Sequence, residues 1–317
     1  MVRSIEDVER EHLLGIVSYS MVTPNTYHAK TISGEELLIK IKRRPTINNL
    51  FKDFGIAGFY YYLSTPLKRE AIINDELTKS EFLNFDFPRM LHTDYCSYIV
   101  FEYIKNCNCN LLDIAVEKVV KSLIEFQSIS INKKTKLYKT ASSVLRSISV
   151  STVKGIVVIG PKKLGVVTTI SAIREVAKML KLQKKLKQGW LLHKDFERNA
   201  NYLVTDDRKI YFIDFEMTAI EKRWIMTDIV DLAWDVENMS IDHDLITEYL
   251  KEIDEIYDKS IELLTQARLI LLRKAVYFIR GTKYSQEMNK QIINFIKDVL
   301  LDARSFELWY YSGLEKN

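Results

Sequence analysis

The sequence is poor in cysteine: its 317 residues include only Cys96, Cys107 and Cys109. An odd number of cysteines, with no second closely spaced pair, supports neither a disulfide framework nor a zinc site. A reducing, cytoplasmic location therefore fits best. The N-terminal segment lacks the apolar core of a signal peptide, and no apolar run approaches the roughly 20 residues that cross a bilayer. We expect no transmembrane segment, while peripheral contact with a membrane stays open.

The sequence also lacks a strong excess of charge of either sign. Lysine and arginine number 46 against 42 aspartates and glutamates, so the formal net charge is only +4. A balance this small does not indicate nucleic-acid binding, and we expect no nucleic-acid partner. Hydrophobic residues make up 47% and charged residues 28% of the chain, which is typical of a folded globular protein without long disordered stretches.

The pattern of apolar residues changes along the chain. The first hundred residues predict a meander of strands, because short β-branched segments alternate with turn signals. One or two helices are expected among them, one at residues 66–79. Helices dominate after residue 111, at residues 111–124 and 168–187, and we expect only helices beyond about Asp228. Strands are predicted at residues 13–19, 26–31, 37–41, 98–101, 190–192, 202–204 and 210–215.

The most informative segment spans residues 192–216. An apolar strand leads into His193 and Asp195, asparagines and a second apolar strand follow, and a hairpin then ends at Asp214. The two aspartates are 19 residues apart in the sequence, a separation that a hairpin can close. Phosphoryl transfer needs one carboxylate that accepts the proton of the attacking hydroxyl, and further oxygen ligands that hold magnesium. Asp195 suits the first role, and Asp214 with an asparagine suits the second.

This segment resembles the aminoglycoside phosphotransferase and choline kinase-like family, a branch of the protein-kinase-like fold. Members carry His-Gly-Asp, then four residues and an asparagine, which is the fifth residue after the aspartate, and later Ile-Asp followed by an aromatic and an acidic residue. The match runs from His193 to Glu216 and continues at Asp231, which begins an Asp-Leu-Ala motif. Glu216 stands where protein kinases have glycine, and this favours the small-molecule branch. The resemblance implies that Asp195 is the catalytic base, that His193 orients its loop and that Asp214 binds the metal.

Two positions depart from the family pattern. Lys194 replaces the usual small residue, which alters the loop or adds a charge near the phosphoryl group. The position expected to hold asparagine is Ala200, between Asn199 and Asn201. We prefer Asn201 as the metal ligand, since it directly precedes the next strand as the family asparagine does. Asn199 remains the alternative.

The resemblance extends to the first hundred residues. Lys40, on the third strand, is similar to the lysine that contacts the α- and β-phosphates. Glu70 is the best candidate for its ion-pair partner, and Glu76 is the second. Glu102 and Tyr103 match the hinge whose backbone pairs with adenine. The segment at residues 18–25 would cover the phosphates, but it contains no glycine.

We therefore predict an α+β, protein-kinase-like fold with the active site in a cleft between two lobes. Residues 1–105 would form a small, β-rich, nucleotide-binding lobe, and residues 106–317 a larger, α-helical, catalytic and acceptor-binding lobe. The predicted reaction transfers the γ-phosphate of ATP (or GTP), with Mg²⁺, to a hydroxyl of a small molecule or glycan.

Two alternatives remain. An atypical serine/threonine protein kinase needs an activation loop, yet only 17 residues separate Asp214 from Asp231. A nucleotide-binding pseudokinase scaffold is favoured by the shifted asparagine and by the glycine-free segment.

Overall fold

The computed structural model describes residues 4–42, 66–106, 111–129, 148–183, 189–196, 200–221, 223–254, 260–280 and 284–314. These residues form two compact units. The first contains the described parts of residues 1–109 and 201–217, and the second contains those of residues 110–130, 142–200 and 218–317. Residues 201–217 thus belong to the first unit, although they follow a long part of the second unit in the sequence. The lobe boundary between residues 105 and 106 remains a prediction.

The helices and strands are numbered here in chain order. The helices are α1 Ile5–His12, α2 Pro66–Leu77, α3 Val116–Gln127, α4 Ile148–Lys163, α5 Val166–Leu182, α6 Thr227–Ala233, α7 His243–Asp254, α8 Ser260–Arg280, α9 Gln286–Phe295 and α10 Ala303–Leu314. The strands are β1 Ile16–Thr23, β2 Thr26–Thr31, β3 Glu36–Ile41, β4 Met90–Thr93, β5 Tyr98–Glu102, β6 Trp190–Leu192, β7 Tyr202–Val204, β8 Ile210–Phe212, β9 Ala219–Glu221, β10 Trp234–Asp235 and β11 Ser240–Ile241.

The first unit is built on an antiparallel five-stranded sheet with the order β1-β2-β3-β5-β4. Successive side chains of a strand point to opposite faces of the sheet. Tyr98 and Val100 accordingly pack with α1, while Ile99 and Phe101 pack with α2. The same alternation on β3 places Lys40 on the face that α2 covers.

The β7–β8 hairpin also belongs to the first unit. Its strands pair from Tyr202 with Phe212 to Val204 with Ile210. The backbone of Asp86 holds β8, since its N–H donates to the Ile210 carbonyl at 2.8 Å and its carbonyl accepts from the Phe212 N–H at 2.9 Å. Asp214, two residues beyond β8, is thereby fixed within the same unit as Lys40.

The second unit is mainly helical. Helix α8 lies at its centre and contacts α4, α5, α6 and α9. Every residue of α6 is buried, and a two-stranded ladder of β6 and β9 leads into the 193–196 loop. None of the helices that the structure describes is both long and apolar enough to cross a bilayer.

The α+β, kinase-like fold class and the three-strand meander are confirmed, but several element predictions are wrong. The helix expected from residue 111 starts only at Val116, after a 3-10 turn at Leu111–Asp113. The region beyond Asp228 is not purely helical, because β10 and β11 form a short hairpin. The strand expected at residues 210–215 ends at Phe212, since Asp214 has a left-handed φ of 64° that no extended chain can adopt. Helix α4 was not predicted, because its many β-branched residues favour strand.

Candidate active site

The ammonium group of Lys40 is the centre of a charged cluster in the first unit. Its Nζ lies 2.8 and 3.0 Å from the two carboxylate oxygens of Glu70 and 3.3 Å from Oδ1 of Asp214. Glu70 is one turn into α2, directly above the face of the sheet that carries Lys40. The structure thus brings together three residues that lie 30 and 174 positions apart in the sequence.

The cluster contains more carboxylates than ammonium groups. Glu70, Asp214 and Glu216 each offer an oxygen within 4.8 Å of the others. Burial alone would lower the pKa of Lys40, but the carboxylates of Asp214, Glu70 and Glu216 outweigh burial and raise it, so that Lys40 stays cationic. Burial raises the pKa of Glu70 well above its ordinary value, against the effect of Lys40 and with further help from Asp214 and Glu216. The surplus negative charge of the cluster therefore favours binding of a proton or a cation.

Asp214 and Glu216 occupy a short turn after β8. Asp214 takes a left-handed φ of 64° and its side chain is 36% exposed, while residues Phe215–Met217 form a 3-10 turn. Aspartate tolerates this backbone better than most residues. The turn directs two carboxylates toward Lys40, and their hard oxygen atoms are ligands that magnesium prefers. The donor chemistry therefore fits a divalent cation.

Asn201 lies beside this turn. Its carbonyl accepts the N–H of Ile213 at 3.1 Å, so the backbone of residue 201 adjoins the residue before Asp214. Asn201 also has a left-handed φ of 67°. The alternative ligand, Asn199, lies outside the described residues.

The predicted hinge residues lie at the end of β5. The N–H of Glu102 donates to the Arg89 carbonyl at 3.0 Å, and the N–H of Tyr103 donates to the Glu36 carbonyl at 3.1 Å. The ring of Tyr103 stacks on His28 with centroids 4.0 Å apart. Both N–H groups thus donate within the first unit.

The segment predicted to cover the phosphates forms the β1–β2 hairpin. The strands pair up to Thr23 and Thr26, leaving Pro24 and Asn25 as a two-residue turn in which Asn25 has a φ of 77°. The Asn25 carbonyl accepts the N–H of Ile41 at 2.8 Å, which ties the tip to the end of β3. Asparagine thus supplies the positive φ for which glycine is usually chosen.

The 193–196 loop, in the second unit, is held by the buried carboxylate of Asp228. Oδ2 accepts the N–H of His193 at 2.9 Å, and Oδ1 accepts the N–H of Lys194 at 2.8 Å. The side chain of Gln127 donates to Asp228 at 3.3 Å and accepts from the Tyr249 hydroxyl at 2.6 Å. His193 is fully buried and stacks on Phe196 at 4.2 Å between ring centroids. Its position supports the structural role implied by the resemblance.

Lysine side chains hold the same loop at two further points. Lys194 is buried with a φ of 68°, and its Nζ lies 3.3 Å from a carboxylate oxygen of Glu221 on β9. Lys274 donates to the Phe196 carbonyl at 3.4 Å and pairs with Asp231 at 3.3 Å. The charge of Lys194 is thus matched inside the second unit. The half-buried Asp195 lies between Lys194 and Phe196, the two residues that these contacts hold.

Sequence reasoning missed the contribution of Asp228 to the loop and of Glu216 to the charged cluster. A signal for Asp228 was present, because it lies in the apolar run from Ile225 to Ala233, where an unsatisfied carboxylate would be costly. Its partners are backbone N–H groups more than 30 positions away in sequence, and no pattern in the chain indicates them.

Solved structures with a similar fold include phosphotransferases and kinases of small molecules. The ADP-bound aminoglycoside phosphotransferase APH(2'')-Ib is 15% identical, with 95% of this chain and 96% of that chain covered and a TM-score of 0.60. The choline kinase LicA from Streptococcus pneumoniae is 13% identical, with 91% and 97% covered and a TM-score of 0.58. A Plasmodium vivax ethanolamine kinase is 13% identical, with 89% and 81% covered and a TM-score of 0.57. No protein-family model matches the chain, and a search of curated proteins finds no match. The protein-kinase-like fold that the sequence predicts is therefore the fold of this chain.

Asp228 generates a prediction about stability and pH. Burial raises its pKa to about 6 from an ordinary value of 3.8, although the N–H groups of Lys194 and His193 oppose the shift. The folded chain therefore binds this proton more tightly than the unfolded chain, and this contribution to stability is lost as pH rises from about 4 through 6. Asp228→Asn removes the titration, so the unfolding free energy of the wild type minus that of the variant should fall by roughly 3 kcal/mol over this range.

Denaturant titrations at several pH values between 4 and 7 measure this difference. Asp206→Asn, at an exposed position of the turn between β7 and β8, is the control and should leave the pH dependence unchanged. A constant difference between the wild type and Asp228→Asn over this range would contradict the prediction.

Proposed function

We propose that the chain is a phosphotransferase that moves the γ-phosphate of ATP (or GTP) to a hydroxyl of a small molecule or glycan. The observation that carries this proposal is the cluster of Lys40, Glu70 and Asp214, built by a strand, a helix and a turn of a kinase-like fold. The solved structures with this fold include ADP-, ATP- and AMP-bound phosphotransferases, which supports nucleotide binding by this chain.

In the proposal, the first unit binds the nucleotide. The Lys40 ammonium would contact the α- and β-phosphates while Glu70 fixes its position, and the carbonyl oxygens of Glu102 and Tyr103 would pair with the base. Asp214 and Asn201 would hold Mg²⁺, which supplies positive charge that offsets the charge developing on the phosphate oxygens. The surplus of carboxylates around Lys40 supports a cation at this position.

Asp195 is the proposed catalytic base. Its carboxylate accepts the proton of the acceptor hydroxyl while that oxygen forms a bond to the γ-phosphorus, and the bond from this phosphorus to the bridging oxygen breaks to release ADP. The buried Asp228 and Lys194 hold the backbone on one side of Asp195, and Lys274 holds it on the other. Positioning of this kind is, together with electrostatic stabilisation, the main contribution that a protein makes to phosphoryl transfer.

The acceptor is expected to be small. Gentamicin, choline, ethanolamine and spectinomycin are named with the structural neighbours, and hydroxyl compounds of these classes are the first candidates for this chain. We assign nucleotide binding to residues 1–105 with the 201–217 segment, and acceptor binding to the rest of residues 106–317. A cytoplasmic location remains part of the proposal.

Lys40 on β3 and Lys42, directly after β3, offer a matched pair of variants. Lys40→Met removes the ammonium that lies 2.8 Å from Glu70 and should weaken Mg-ATP binding by about tenfold or more, since charge-assisted hydrogen bonds contribute about 1.5–3 kcal/mol. Lys42→Met, two residues further along, should change the affinity less than twofold. Calorimetric titration of both variants with Mg-ATP measures the effect, and an equal loss in both would show that Lys40 has no special role.

Substitutions of Asp195 and Asp214 should have different effects on ATP turnover and on Mg-ATP affinity. Asp195→Asn removes the base but preserves shape, so ATP turnover should fall by about 10²-fold or more while Mg-ATP affinity stays nearly unchanged. Asp214→Asn should lower both, because it removes a carboxylate from the nucleotide site. Turnover is measured with the candidate acceptors and also as slow hydrolysis by water, and Asp206→Asn serves as the control.

The pattern of results separates the proposal from its alternatives. If the wild type binds Mg-ATP but neither hydrolyses it nor phosphorylates any acceptor, and Asp195→Asn changes nothing, the chain is a nucleotide-binding scaffold. If ATP binds with equal affinity in excess chelator and in Mg²⁺, the assignment of Asp214 to a metal is wrong.

A further inference from the structure

The hairpin of α4 and α5 exposes aliphatic side chains that a folded protein usually covers. Val157 and Val158 on α4 are 51% and 59% exposed, and Val166, Val167 and Ile170 on α5 are 64%, 80% and 46% exposed. Val166, Val167 and Ile170 lie in the first five residues of α5, and Val157 and Val158 lie in the second half of α4. Isolated exposed aliphatic residues are ordinary, but a contiguous group marks an interaction surface.

This apolar group lies on the outer side of the hairpin. Helices α4 and α5 both pack against α8, and their buried residues, such as Ile156 and Val176, recur at helical spacing on the other side. The exposed Pro161 extends the stripe formed by Val157 and Val158 on α4, because it follows them by four and three residues. The exposed stripes of the two helices therefore face away from α8.

The same hairpin carries an excess of cations. Residues 148–183 contain six lysines and arginines and a single acid, Glu175. All six cations are exposed, namely Lys154, Lys162, Lys163, Arg174, Lys178 and Lys181. Glu175 is already paired with Arg268 at 2.8 Å and with Lys178. The outer face of the hairpin therefore combines exposed aliphatic side chains with an unbalanced positive charge.

We propose that this face of the α4–α5 hairpin docks on an anionic lipid surface. Aliphatic side chains that enter the boundary between headgroups and acyl chains, together with lysines that meet lipid phosphates, are the two components of interfacial binding. Nucleic acid would use the cations but offers no apolar region for four valines and an isoleucine. A second copy of the chain would bring six further cations against the same face, and like charges oppose such pairing. The charge pattern thus favours an anionic bilayer.

The experiment is sedimentation of the full chain with large vesicles of phosphatidylcholine, alone or with 30 mol% phosphatidylglycerol as a probe composition of roughly the anionic character of cytoplasmic leaflets. We expect binding to the anionic vesicles, little binding to the neutral ones, and a marked decrease as salt is raised from about 0.1 to 1 M. This readout does not involve ATP, so its failure leaves the phosphotransferase proposal untouched.

Paired variants locate the surface. Lys162→Glu with Lys163→Glu should weaken binding to anionic vesicles by at least about tenfold. Lys290→Glu with Lys297→Glu makes the same change of charge at exposed positions elsewhere in the second unit and should have a much smaller effect. Val167→Ser should also weaken binding, whereas Leu83→Ser, at a position that is 94% exposed in the first unit, should not. Unchanged thermal unfolding midpoints show that each variant is folded.

Several outcomes would overturn the proposal. Absence of binding to anionic vesicles would reject it, and so would equal losses in the two lysine pairs. Tighter binding to a DNA or RNA oligonucleotide than to the vesicles would assign the face to nucleic acid. A dimer in sedimentation velocity that Val166→Ser with Val167→Ser dissociates would assign it to a second copy of the chain.

Discussion

The pairing of one largely buried ammonium group with three carboxylates is the interaction on which the proposed site depends. Lys40 reaches this position because β3 alternates its side chains, and Glu70 meets it because α2 covers that face of the sheet. Breaking a buried ion pair by removing one partner generally costs about 3–5 kcal/mol, since the other charge is left without compensation. The sheet, α2 and the turn after β8 are therefore coupled through a few polar atoms, and the arrangement leaves negative charge that a cation can balance.

A second set of buried charges performs the corresponding task in the helical unit. Asp228 accepts two successive backbone N–H groups of the 193–196 loop, and Lys194 and Lys274 attach the loop to β9 and α8. Lys194 has a left-handed backbone that costs most residues about 1–2 kcal/mol, and its pairing with Glu221 offsets this cost. Glycine is usual at this position in the resembled family. In this chain the ion pair of Lys194 with Glu221 therefore stabilises a backbone conformation that glycine adopts without strain.

Sequence patterns predicted the parts of the molecule that depend on local periodicity or on ordered motifs. Strand alternation located β2, β3 and β5, and the order of His193, Asp195 and Asp214 indicated the kinase-like fold. The pairing of Lys40 with Glu70 was expected only from the family resemblance. The contacts of Asp228 have no such motif and escaped prediction, because its partners are distant in the sequence. Helix α4 was missed because its valines favour strand in isolation, and packing against α8 overrides that preference. The hairpin at β10 and β11 carries too few residues for any periodicity.

The most direct test of the central claim is a crystal structure with Mg²⁺ and a non-hydrolysable ATP analogue. The account predicts an ion about 2.0–2.1 Å from a carboxylate oxygen of Asp214. It also predicts that the Nζ of Lys40 lies about 2.7–3.2 Å from an oxygen of the α- or β-phosphate, with the ion pair to Glu70 intact. A nucleotide bound elsewhere, or bound here without contact to Lys40 and with the ion away from Asp214, would contradict it.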